Sequence, residues 1–323
     1  RPLLSVGDGP IRGLHFMSPH LYVVSGAELW AVNSLLATTL VGTIAGTGNV
    51  HMTNNGTHIA VATDTKLYAA NATTLVELPE SGMCGATYQD GYGIFPEMLS
   101  QRFWITPADN MTTINAFDYS TADASPGRLR GGISDHRELC LFKEDSIEFW
   151  YNSGNATFPF ERVQGGFIEK GCVAPHSIAK ADHRVFWLGS DLSVYSMGGY
   201  QPQLISTPAI DLLAKATASP QTAKAWTYRQ DGHTFYVLTF ADLTIVYDST
   251  TGMWHERVSD GVDRWRANCY AEAFGLHVVG DFENGSTYTL DNEYYGEGNP
   301  VEMIVGAAPP PIKRQVVSPP ISA

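Results

Sequence analysis

The sequence is poor in charged residues and has no long hydrophobic run. Only 16% of its 323 residues are Asp, Glu, Lys or Arg, whereas about a quarter is usual in soluble domains. No apolar stretch approaches the roughly 18 residues of a transmembrane helix, and no signal peptide is recognisable. These absences argue against a membrane protein and against an architecture of long charged helices.

The short motifs of common enzymes are also missing. There is no nucleophile elbow, zinc-protease motif, P-loop, dinucleotide fingerprint or sialidase Asp-box. Two groups of ionisable residues occur, at Asp135–Glu138 and at Trp254–Arg257. Neighbouring side chains on a strand point to opposite faces, so neither group converges on a substrate. We interpret the first as structural, with Arg137 bonding a neighbouring turn and Asp135 capping one. We predict no catalytic residue, cofactor or metal ion.

The cysteines do not form a recognisable framework. Without a Cys-x-x-Cys pair they suit neither a zinc site nor a disulfide scaffold, and we expect reduced core residues at Cys84, Cys140, Cys172 and Cys269. Asn-x-Ser/Thr triplets, which are glycosylation signals in secreted eukaryotic proteins, begin at Asn55, Asn71, Asn110, Asn155 and Asn284. Each lies where a turn is expected, and we interpret them as turn chemistry.

The chain is acidic, with a formal net charge of −13. Proteins that grip nucleic acid neutralise phosphates with clustered Lys and Arg, so the charge balance argues against that function. It leaves two interpretations, an ordinary solubility charge or a surface past which DNA slides without adhering.

Recurring hairpins organise the sequence. Seven strand–turn–strand phrases are recognisable, namely Leu21–Asn33, His58–Asn71, Tyr92–Asp109, Leu139–Asn152, Val185–Met197, Phe235–Asp248 and Leu276–Leu290. The second strand of each phrase carries an aromatic marker, in turn Trp30, Tyr68, Trp104, Trp150, Tyr195, Tyr247 and Tyr288. The markers are 36 to 52 residues apart, and β-propeller blades repeat about every 40–50 residues.

We therefore predict an all-β protein, a β-propeller of six or seven blades. A seventh of the chain is about 46 residues, which favours seven blades. Six are possible if the first and last phrases share one blade. A β-sandwich with a second β domain is the structural alternative. Residues 1–305 are assigned to the propeller and the proline-rich residues 306–323 to an extended tail.

One short inserted helix is predicted between two blades. Thr207 is a suitable N-cap, Pro208 suits the first helical position, and the helix should end near Ser219. A second local feature is the charged run around Trp265. An aromatic residue flanked by arginines is typical of protein contacts, so we predict an interface at Arg264, Trp265 and Arg266.

Long strings of the sequence resemble one protein family. The strings are DHRELCLF, EFWYNSGNATFPFERVQGGFIEKGCVAPHSIAK and VFWLG, followed by GHTFYVLTF, WHER, RANC and VGD. In content and order they resemble the packaged-DNA stabilisation proteins of short-tailed bacteriophages, the tail nozzle or head-to-tail connector subunits. The resemblance spans roughly residues 90–290.

This resemblance implies a non-enzymatic structural protein of the virion tail. It implies a ring, commonly of six subunits, on the adaptor protein below the portal. Such a ring extends the DNA channel, helps to retain the packaged genome, and carries the tail needle or plug and the tail fibres or spikes. Double-stranded DNA would pass without sequence-specific binding, and no membrane is involved. Because family members generally continue further, we expect this sequence to omit a C-terminal part.

The residues alone leave open a second function, a secreted β-propeller glycosidase or carbohydrate-binding protein. The two hypotheses differ in one structural expectation. A glycosidase should bring two or more carboxylates and an arginine together at one mouth of the propeller axis, whereas a nozzle subunit should not.

Overall fold

Seven four-stranded antiparallel sheets build the protein in the computed structural model, which describes residues 1–291 and the strands Tyr294–Tyr295 and Asn299–Pro300. Blade one contains β2 (Ile11–Met17), β3 (His20–Ser25), β4 (Glu28–Val32) and β5 (Thr38–Thr43). Blade two contains β6 (His51–Asn54), β7 (Ile59–Ala62), β8 (Leu67–Ala70) and β9 (Leu75–Leu78). Blade three contains β10 (Thr87–Gln89), β11 (Tyr92–Pro96), β12 (Arg102–Ile105) and β13 (Tyr119–Thr121).

Blades four to six continue the pattern. Blade four contains β14 (Leu129–Asp135), β15 (Glu138–Lys143), β16 (Ile147–Asn152) and β17 (Phe160–Ile168). Blade five contains β18 (Ala179–Ala181), β19 (Arg184–Leu188), β20 (Val194–Gly198) and β21 (Gln201–Leu204). Blade six contains β22 (Lys224–Gln230), β23 (His233–Thr239), β24 (Thr244–Asp248) and β25 (Met253–Glu256). Short 3-10 turns lie at Pro175–Ser177 and Pro220–Thr222.

The seventh blade closes the ring with both ends of the propeller. It combines β26 (Ala267–Ala273), β27 (Leu276–Asp281) and β28 (Ser286–Thr289) with the N-terminal strand β1 (Pro2–Ser5), which pairs with β28 as the outermost strand. The backbone N–H of Val6 donates to Gly285 O at 2.7 Å. The prediction of a propeller with seven blades favoured is therefore confirmed, and the six-blade alternative is wrong because the closing strand joins a seventh sheet.

The predicted hairpins are the second and third strands of the blades. All seven aromatic markers lie on third strands, which are β4, β8, β12, β16, β20, β24 and β28. Second strands are buried on both faces because each blade packs between two others. In β15, for example, Leu139 and Leu141 contact blade three, whereas Cys140 and Phe142 contact blade five. Seven separate hydrophobic clusters fill the seven blade junctions.

The predicted helix is confirmed as α1 (Pro208–Ala216), in the connection between blades five and six. Thr207 caps it by accepting a hydrogen bond from the Ile210 N–H. The helix ends three residues before Ser219 because Thr217 is already extended. None of the helices in the described part of the chain is long and apolar enough to span a membrane. The predicted boundary at residue 305 and the tail 306–323 lie outside the described residues.

The five Asn-x-Ser/Thr triplets do form turns. In each, the asparagine Oδ1 accepts a hydrogen bond from the backbone N–H two residues later, from Thr57, Thr73, Thr112, Thr157 and Ser286. The interpretation as turn chemistry is confirmed. All four cysteines carry free thiols, and three of them are buried.

Candidate functional site

The first strands of the blades surround a cavity on the propeller axis. Most neighbouring first strands contact one another, and β14 contacts the 3-10 turn Pro175–Ser177 that precedes β18. Residues near the starts of these strands line a cavity of about 260 Å³. Close packing there requires glycine. A Cβ on Gly13 would lie 2.5 Å from Val50 Cγ2, and one on Gly131 would lie 2.4 Å from Ile178 Cδ1.

Lys224 is the central charged group of this cavity. Its Nζ donates to Asn49 Oδ1 at 2.8 Å and to Asn268 Oδ1 at 3.0 Å. Asn268 in turn donates to Ile11 O and to Asn49 Oδ1, and accepts from Arg264. Burial, followed by the charge of Arg264, lowers the pKa of Lys224 to about 8. Asn268 thus accepts from both cations, and Asn49 accepts from Lys224 and from Asn268.

Arg12 brings another positive charge to the same end of the cavity. Its guanidinium donates to Gly48 O, Gly26 O and Ala45 O. These bonds hold the connection that leads into β6, and hence Asn49, against the first blade. Burial lowers the pKa of Arg12, and the negative charge of Asp64 opposes part of this shift.

Two histidines stack inside the cavity. The rings of His51 and His176, from blades two and five, lie 3.9 Å apart with an interplanar angle of 5°. Burial lowers the pKa of His51 to about 4, and burial and nearby positive charges lower the pKa of His176 well below its usual value. Both rings are therefore neutral at pH 7, which permits the face-to-face contact.

The cavity lining contains no carboxylate. The residues that line it, all within the described part of the chain, include Arg12, Lys224 and three histidines but neither Asp nor Glu. The glycosidase hypothesis predicts two or more carboxylates close together at one mouth of the propeller axis. The lining of this cavity does not contain them.

The turns that join first to second strands make polar contacts with the corresponding turns of neighbouring blades. We call this surface the hairpin face; in blades three to five its turns are Asp90–Gly91, His136–Arg137 and Asp182–His183. Arg137 Nε contacts Asp90 Oδ1 at 3.2 Å, and His136 Nε2 lies 3.1 Å from His183 Nδ1. Arg137 thus bonds a neighbouring turn as predicted.

Residues Asp135–Glu138 form a tight hairpin. His136 and Arg137, with positive φ values of 48° and 65°, form the turn between Asp135 at the end of β14 and Glu138 at the start of β15. Asp135 lies against His136 Nδ1 at 2.9 Å and Lys180 Nζ at 3.8 Å. The described contacts of its carboxylate are with side chains and not with a backbone N–H, so the predicted cap is wrong.

The predicted interface at Arg264, Trp265 and Arg266 is less exposed than the sequence indicated. Arg264 is buried, and Trp265 is half-buried, with its ring 5.5 Å from that of Trp226. Arg266 pairs with the buried Asp281. The premise of an exposed aromatic residue is corrected, because this segment folds into the junction between blades six and seven.

Large apolar side chains are exposed elsewhere, in loops, on α1 and on outer strands. The most exposed are Phe117 (89%), Leu35 (86%), Leu212 (68%), Leu99 (64%) and Leu204 (54%). None of the five belongs to the hydrophobic clusters that fill the blade junctions.

Comparison with known families decides the identity of the chain. The family model described as Bacteriophage P22 Gp10, beta-propeller, matches residues 3–295. The chain belongs to this family. This confirms the resemblance read from the sequence and makes the protein a phage structural propeller, a component of the virion in a DNA-stabilisation family. A comparison with curated proteins found no match.

Solved structures similar to this member of the P22 Gp10 family share only its fold. The WD40 propeller domain of Doa1 has 12% identity and a TM-score of 0.56, over 90% of this chain and 96% of Doa1's. BamB from Moraxella catarrhalis has 11% identity and a TM-score of 0.53, over 91% and 99%. The Pan2 WD40 domain of Neurospora crassa has 8% identity and a TM-score of 0.54, over 87% and 88%.

Proposed function

We propose that this protein is a tail nozzle subunit. Several copies, commonly six in the resembling family, form a ring on the adaptor below the portal. The ring extends the DNA channel, helps to retain the packaged genome, and carries the needle or plug and the fibres or spikes. The subunit acts sterically and electrostatically, without catalysis. The observation that carries the proposal is the family match over residues 3–295.

The architecture is compatible with assembly through the periphery. Each blade's inner strands are used within the propeller, and the closing pair of β1 and β28 joins its ends. Contacts with other subunits and tail proteins must therefore come from loops, outer strands and terminal segments. The exposed Phe117 and Leu35 provide apolar surface there. At residues 264–266, only the partly exposed Trp265 and Arg266 remain proposed contacts.

Electrostatic repulsion should make ring formation depend on a template. Six copies, each at −13, would carry a formal charge of −78. Salt screens this repulsion beyond about 8 Å at physiological ionic strength, which weakens but does not forbid association. We expect the isolated subunit to be monomeric in dilute solution and to form a ring only on a preformed portal–adaptor complex.

Analytical ultracentrifugation with and without the portal–adaptor complex tests this proposal. The expected result is a monomer alone and a stoichiometric ring with the complex. Failure to bind the complex would contradict the nozzle function. A stable ring of the subunit alone at micromolar concentration and low salt would contradict the repulsion argument only.

A further inference from the structure

Lys224 is an unusual cation in an acidic protein. The chain has 33 Asp and Glu against 20 Lys and Arg, yet both described partners of the Lys224 ammonium are neutral amide oxygens. Lys224 is half-buried, and charges removed from water are normally paired with opposite charge. Lys143 follows that rule, because its fully buried Nζ lies 3.2 Å from Glu148 Oε1. The cavity therefore lacks a negative charge that the chain supplies elsewhere.

Donor groups remain available around Lys224. An ammonium group has three N–H donors, and the two described bonds use two of them. Among the described hydrogen bonds, Asn49 acts only as an acceptor, through Oδ1. Its amide nitrogen is therefore a second available donor. Arg12 and Arg264 add positive charge, which Asp64 partly offsets for Arg12 and Asp281 and Glu283 for Arg264. The lining of the cavity itself holds no carboxylate.

The cavity is large enough for a small ion. A single water molecule needs roughly 10–15 Å³ of such space, and the cavity offers about 260 Å³. An oxyanion with several acceptor oxygens could bind the ammonium and the amide at once, forming charge-assisted hydrogen bonds.

We propose that the axial cavity binds one small oxyanion of the phosphate or sulfate type, held by Lys224 and Asn49. The anion supplies the counter-charge that the described hydrogen-bond partners of Lys224 do not carry. It ties together connections from blades two, six and seven, because Asn49, Lys224 and Asn268 belong to one hydrogen-bonded group. This inference does not depend on the nozzle function.

Thermal unfolding of the full chain in phosphate, with ionic strength held constant by sodium chloride, tests the proposal. Binding to the native state raises Tm with a saturable dependence on concentration, whereas general salting-out is not saturable. We expect a saturable rise for the wild type and its loss in Lys224→Met, with phosphate affinity at least about tenfold weaker. Lys180→Met, at an exposed lysine of the hairpin face, is the matched control and should keep the wild-type response.

A second variant places a negative charge of the protein itself beside Lys224. In Asn49→Asp, the acceptor of Lys224 becomes a carboxylate of the same shape, and the bond accepted from Asn268 is retained. We expect a higher Tm than wild type in phosphate-free buffer and no saturable response to phosphate. Identical phosphate responses in wild type, Lys224→Met and Asn49→Asp would overturn the proposal. A Lys224-dependent response to a short DNA duplex but not to phosphate would also overturn it, since the site would then recognise a macromolecule.

Discussion

Two lysines of this propeller, the fully buried Lys143 and the half-buried Lys224, have different kinds of partner. Lys143, at the end of β15, is fully buried beside Glu148, and its ammonium also donates to Ala122 O at 2.8 Å and to Ser125 O. Lys224, on the axis, bonds only the neutral amides of Asn49 and Asn268 among the described residues. The first fixes the connection from blade three to blade four. The second leaves uncompensated charge in a cavity. The contrast separates a cation that holds the fold together from one that is poised to bind an ion.

Lys143→Met should have the largest effect on stability. It leaves the carboxylate of Glu148 buried without its cation, and breaking a buried pair in this way costs about 3–5 kcal/mol. We expect a decrease of that size in the free energy of unfolding, measured by chemical denaturation. The double variant Lys143→Met/Glu148→Leu is the control and should regain much of the loss. A decrease below about 1 kcal/mol for the single variant would show that the pair is not structurally important.

Lys224 should instead make the free energy of unfolding depend on pH. Its pKa is about 8 in the folded protein and 10.5 in its usual range. Between these values the unfolded chain keeps a proton that the native state has released, so stability should rise with pH. We expect wild type to gain about 2–3 kcal/mol relative to Lys224→Met from pH 8 to 10.5 in anion-free buffer. A constant difference between the two proteins across this window would contradict the proposed burial of the charge.

The ion pair between Arg137 and Asp90 on the hairpin face should matter least. Its arginine side chain is 81% exposed, and exposed pairs contribute about 0–1 kcal/mol because water and salt screen them. Arg137→Ala should therefore change the free energy of unfolding by less than about 1 kcal/mol. A larger loss, insensitive to salt, would place this turn among the structural contacts and weaken the distinction between buried and exposed pairs.

The sequence predicted the parts of the fold that carry strong local signals. Second and third strands are apolar and aromatic because they are buried between blades, so all seven hairpins and their markers were found. First and fourth strands were not marked. Some, such as Thr87–Gln89 and Tyr119–Thr121, have only three residues, and Leu129–Asp135 contains a double glycine. The helix was predictable because its cap and first proline are local features.

The axial site could not be found in the same way. Asn49 and Lys224 are 175 residues apart and meet only because the ring closes. A polar residue near the start of a first strand can be assigned to the propeller axis only when the positions of the first strands are known. The same limitation explains the error at Trp265, where a charged run resembles an exposed turn but lies against Trp226 in a blade junction.

Electron cryomicroscopy of intact virions tests the central claim most directly. We expect this seven-bladed propeller in a ring of copies, commonly six, directly below the portal and adaptor, with the DNA channel passing through the ring. Density for the propeller in the head shell, or virions that contain no copy of this chain, would contradict the assignment as a tail nozzle subunit.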